Sequence, residues 1–120
     1  MARLMVVLKP VAACGAGELI PQIDPVLDRL AAVVDERSAT HLGASFVQAP
    51  VGLKVQLFGD VQPRSQGYEL ELVLMSGEPM AAGSRNTRLA LESLLSEVER
   101  LATGLQVVFR SDRDGPCRPR

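Results

Sequence analysis

The sequence predicts an α+β fold: a ferredoxin-like βαββαβ two-layer sandwich, a four-stranded antiparallel sheet with two helices on one face. Three observations carry that expectation. Two segments repeat apolar residues at spacings of three and four, the remaining apolar segments are β-branched or alternate in polarity, and the two kinds follow one another as strand, helix, strand, strand, helix, strand. A length of 120 residues fits one core that folds without metal or disulfide.

Arg3 to Lys9 (RLMVVLK) is a short β-branched and apolar run closed by Pro10, the signature of a strand buried on both faces. Asp24-Pro25 then starts a helix, Asp as side-chain cap and Pro in the first turn, and the helix is expected to reach Arg37. Val26, Leu27, Leu30, Val33 and Val34 form its apolar stripe, with Asp28, Arg29, Asp35 and Glu36 facing water. From Ala44 to Gly59 the chain reads as one extended segment interrupted by Pro50 and Gly52, which assigns it to a sheet edge. Its second half sets Leu53, Val55 and Leu57 against Lys54, Gln56 and Phe58 on opposite faces.

Asp60 to Gly67 reads as a hairpin loop, and Tyr68 to Met75 as a strand pointing Leu70, Leu72 and Leu74 inward. Ser76 to Asn86 is a loop before the second helix, whose stripe is Leu91, Leu94, Leu95, Val98, Leu101 and Ala102, ending at Gly104. Leu105 to Arg110 is the last strand. Residues 1–110 thus make a single domain, and 111–120, SDRDGPCRPR, read as a mobile tail.

Thirteen basic and fourteen acidic side chains give a formal charge of −1, which argues against general binding of nucleic acid or anionic membranes, since both need a positive field. No apolar run approaches the roughly 18 residues of a spanning helix, so no membrane partner is expected. Val11-Ala12-Ala13-Cys14 matches the small-residue pattern before a lipid-modified cysteine, but Lys9-Pro10 cuts the apolar stretch such a signal needs. A cytoplasmic location follows as the expectation. In this layout Cys14 and Cys117 sit at opposite ends of the sheet, beyond the ~7 Å reach of a disulfide, and are expected as free thiols.

No catalytic residue, metal ligand or cofactor is assigned. Cys14 lacks an Arg six residues on, where Ile20 stands, and Glu18 and Asp24 oppose a thiolate. His41 is the only histidine, which excludes a His-rich metal site, and no orienting partner for it is visible in the sequence. Glu69 and Glu71 share a strand face and read as solvating residues. The one weak ligand-binding expectation is an anion at the start of the second helix, held by Ser84, Arg85, Asn86 and Arg88. No Gly-Lys-Ser/Thr accompanies it, and Ser84 or Asn86 would also serve as an ordinary helix cap.

The stronger signal is the sheet face without helices. By parity it receives Met5 and Val7 from the first strand, Val73 and Met75 from the third and Val108 from the last. The expected register sets Met5 against Met75, Val7 against Val73 and Lys9 against Glu71, with Arg3, Lys54 and Arg110 on the rim. Such a patch is the pattern of an interface. Base stacking is not expected there, because the central strands carry no aromatics.

The leading functional expectation is therefore a non-enzymatic, cytoplasmic interaction or regulatory module, a homo-oligomer or the docking site of a protein partner. A second reading is a small cofactorless enzyme or carrier of dimeric α+β-barrel type, with an apolar cavity between paired sheets and Glu69, Glu71, Lys54 and Tyr68 as its polar groups. A third is a phosphate or anion sensor using the loop before the second helix.

Overall fold

The computed structural model of the chain describes residues 1–80 and 83–116. It is an α+β fold, but the four-stranded ferredoxin-like sandwich is not what forms. The sheet has six strands, all antiparallel to their neighbours: β1 (Ala2–Pro10), β2 (Val33–Arg37), β3 (His41–Gln48), β4 (Leu53–Arg64), β5 (Gly67–Ser76) and β6 (Leu105–Arg110). Their order across the sheet is β2-β3-β4-β5-β1-β6. Three short helices accompany them, α1 (Asp24–Arg29), α2 (Arg85–Leu101) and α3 (Ser111–Asp114), with two 3₁₀ turns at Ala16–Glu18 and Ile20–Ile23.

Two local events make the difference. The helix expected to run to Arg37 stops at Arg29: Ala31 turns into the left-handed region at φ 54°, and Val33–Arg37 leaves as an edge strand. Only Val26 and Leu27 of the expected stripe are buried, whereas Val33 and Val34 are 63% and 43% exposed. The β-branched pair Val33-Val34 satisfies strand preference as well as helical spacing, and the strand wins. Asp24 does not cap the helix; its carboxylate pairs instead with Arg37 of β2, one contact at 2.8 Å.

The second event is at Pro50 and Gly52. They do not interrupt one edge strand but turn the chain between two, with Gly52 at φ 73° closing the β3–β4 hairpin. β4 thereby becomes an interior strand. It runs on through Asp60 to Arg64, so the expected loop shrinks to Ser65 and Gln66 before Gly67.

One core lies between the sheet and the α1–α2 layer. Leu4, Val6 and Leu8 of β1, Leu42 and Phe46 of β3, Val55 and Leu57 of β4, and Leu70, Leu72 and Leu74 of β5 meet Ile20, Ile23, Val26 and Leu27. From α2 come Ala90, Leu91, Leu94, Leu95 and Val98, close to the expected stripe. Ser111–Asp114, read from sequence as the start of a tail, forms the turn of α3 and is tied down: the Met5 amide donates to Ser111 Oγ at 2.8 Å. Arg110 holds the same turn through Asp112, at 2.9 Å, and also reaches Glu92 of α2. Cys117 lies outside the described residues.

Candidate functional site

The face opposite the helices can be read row by row from the strand registers. Alternation sends Leu42, Ala44 and Phe46 of β3 to the core and therefore His41, Gly43 and Ser45 to the other side. The central row is Glu36–Gly43–Phe58–Val73–Met5, crossing β2, β3, β4, β5 and β1. On one side of it runs His41–Asp60–Glu71–Val7–Phe109, and on the other Val33–Ser45–Gln56–Met75–Arg3. The segment from Ala44 onwards lies within β3, in the plane of the sheet, and so does not fold across this face.

The five residues expected to share an interface have different fates. Met5, Val73 and Met75 are half-buried on adjoining rows, as their parity requires. Val7 is 1% exposed and lies opposite Phe109, itself 3% exposed, where a bulge in the β1–β6 ladder then sets Leu8 opposite Val107. Val108 is the residue left over by that bulge, without a partner on β1, and stands 38% exposed. The register differs from the expected one by two residues: Met5 faces Val73, Val7 faces Glu71 and Arg3 faces Met75. The Lys9–Glu71 pair is accordingly not formed across the ladder. Arg110 pairs with Glu92 on the helical side and is not part of the rim. Parity alone places Phe58 on this face without joining it to the patch, and its register with Val73 puts it at the centre.

Beside the apolar row sits a histidine cluster that register alone assembles. His41 Nδ1 lies 2.8 Å from Asp60 Oδ1, and its Nε2 lies 3.6 Å from Glu36 Oε2. The hydrogen bond to Asp60 holds the imidazole pKa above its ordinary 6.5, and the nearby Glu36 charge adds to it, against a smaller opposing effect of desolvation. Asp60 is the orienting partner that sequence reading did not find, 19 positions away along the chain.

At the start of α2, where the anion was expected, a carboxylate of the chain itself meets two backbone amides. Glu78 accepts four hydrogen bonds at the start of α2, from the Asn86 and Thr87 amides at 3.0 and 2.8 Å and from the Asn86 Nδ2 and Thr87 Oγ1 groups at 2.9 and 2.8 Å. Desolvation pushes this carboxyl up, but the four bonds outweigh it and its pKa is lowered. Ser84 makes no cap hydrogen bond; its hydroxyl faces Met80 Sδ at 3.1 Å. Arg85 and Arg88 are exposed.

The polar groups of the enzyme reading do not converge. Glu69 lies opposite Gln62, and Lys54 stands eight residues before Gln62 on β4, so about 26 Å of sheet separates the two. Glu69 is buried and accepts from Arg64 Nε at 2.9 Å. Cys14 is a half-buried free thiol whose pKa is raised by burial and then by Glu18, as the acidic loop implied. Among the described residues no cluster of three or more His, Cys, Asp or Glu could hold a metal, and no helix is long and apolar enough to cross a membrane. A groove of about 530 Å³ between α2 and β6, lined by Leu95, Val98, Leu105, Val107 and the charged Glu92, Glu99, Arg110 and Arg113, had no counterpart in the sequence reading. The chain matches no known protein family and no curated protein.

Proposed function

We propose that this chain is a non-enzymatic interaction module that self-associates through the helix-free face of its sheet. The observation that carries the reading is the central row, in which Phe58, Val73 and Met5 stand side by side, only half-buried, on a face to which α1 and α2 contribute nothing. Apolar side chains clustered on an uncovered sheet favour a second surface over water.

Charge favours a second copy as that surface. Glu36, Asp60 and Glu71 lie on or to one side of the row, while Arg3 and Lys54 lie to the other. In an isologous pair with its two-fold axis along the row, the acidic side of each copy meets the basic side of its partner. A reducing cytoplasm suits the reading, since Cys14 is an unpaired thiol.

Sedimentation equilibrium of the wild type against Val73→Asp and Phe58→Asp tests it. A wild-type dimer converted to monomer by either substitution, with the far-ultraviolet spectrum unchanged, supports the reading. A wild type that stays monomeric at several hundred micromolar ends it.

A further inference from the structure

We propose that His41 is a proton-operated clasp that fastens the edge strand β2 to the sheet when the imidazole is protonated and loosens it when the proton leaves. The proposal does not depend on self-association.

The geometry gives the imidazole two acceptors on two different strands: Asp60 of β4 on its Nδ1 side and Glu36 of β2 on its Nε2 side. A neutral imidazole carries one N–H and can donate to only one of them, leaving a lone pair against the other carboxylate. The imidazolium donates both ways and links β2 to β4 across β3. Asp60 in turn faces Glu71 of β5, so the ring contacts two carboxylates and a third lies behind Asp60 on the next strand.

β2 is the strand that such a link can move. It is five residues long, exposed throughout, and paired on one side only. Its ladder to β3 is broken between Val34 and Glu36, where Asp35 is left over. Apart from that ladder, the ion pair of Arg37 with Asp24 on the helical face is its other side-chain tie. A strand with so few anchors opens independently of the core.

The sign follows from the raised pKa of His41. The extra fastening is complete below the ordinary histidine value of 6.5 and is lost as pH rises through the higher folded-state value. With one histidine in the chain, the ring proton resonances report that titration without ambiguity.

The test is amide hydrogen exchange by NMR across this titration, corrected for intrinsic base catalysis, with Val55–Leu57 of β4 as the internal reference. Protection of Val33–Arg37 relative to the reference should fall about threefold as His41 deprotonates, the size expected for exposed charge pairs. Its midpoint should coincide with that of the ring protons. Glu36→Gln, which keeps the fold and the Asp60 bond, should lower the ring midpoint and flatten the β2 response; His41→Gln should abolish the response. Protection of β2 that is indifferent to the His41 titration, or a response that survives Glu36→Gln unchanged, overturns the proposal.

Discussion

Gly59 lies at the centre of the sheet on the core side, between Leu42 of β3 and Leu72 of β5 in register, and Gly59→Ala asks whether that absence of a side chain is structural. A Cβ built there would stand 3.1 Å from Leu72 Cδ2 and 3.3 Å from Leu42 Cβ. Both contacts are closer than ordinary packing, and neither neighbour can retreat easily: Leu72 is fully buried and the Leu42 contact is rigidly attached to its backbone. Overpacking of this kind costs about 1–3 kcal/mol. Against it stands the lower unfolded-state entropy of Ala, about 0.4–1 kcal/mol, available because Gly59 does not use a left-handed conformation. The difference runs from about 0 to about 2.6 kcal/mol, and its centre, a loss of about 1.3 kcal/mol, is the net expectation.

Urea unfolding followed by far-ultraviolet circular dichroism measures the loss, the chain having no Trp. Leu72→Val in the same background removes a methyl group from the crowded side, so the double variant should lose at least ~0.5 kcal/mol less than the two single losses added together. A Gly59→Ala protein as stable as wild type, with no such coupling, would refute the argument. The variant also bears on the exposed face, because Phe58 and Asp60 flank Gly59 and point the other way.

Glu78→Ala should fray the first turn of α2, seen as faster amide exchange at Asn86 and Thr87 with the sheet unaffected. Because the folded-state pKa of Glu78 is depressed, its contribution is present above the ordinary carboxyl value of 4.5 and fades as pH falls through the folded value, so the wild type and Glu78→Ala should converge in stability under acid. Equal acid sensitivity in the two proteins would contradict the capping role. Cys14, with its thiol pushed up by burial and Glu18, should react with iodoacetamide at pH 7.5 more slowly than a free thiol; Glu18→Gln should speed the reaction modestly, and faster-than-free labelling of the wild type would reverse the assignment.

What could be read in the sequence was whatever a short local pattern controls. The alternation of β4 from Leu53 to Phe58, the Leu70-Leu72-Leu74 face of β5 and the α2 stripe all survive in the structure. The end of α1 did not announce itself, because the left-handed position that terminates it is occupied by Ala31, where Gly or Asn is the usual marker. Pro50 and Gly52 were visible, but the same two residues mark a strand interruption and a hairpin equally well. Read as an interruption they leave one strand where the structure has β3 and β4, and β2, read as helix, accounts for the second difference.

The site residues divide along the same line. Parity placed Met5, Val73 and Met75 correctly, since a face needs only alternation, yet contacts within the face need register, and a shift of two residues keeps every parity while changing every neighbour. His41 was visible as a residue and invisible as a cluster, because Asp60 and Glu36 reach it only after β2, β3 and β4 are paired. The carboxylate that meets the amides at the start of α2 is not visible as a local signal: it is Glu78, eight positions before Asn86 and outside the spacing of a local capping box. A carboxylate supplied by the chain itself satisfies the same amides that an external phosphate would need.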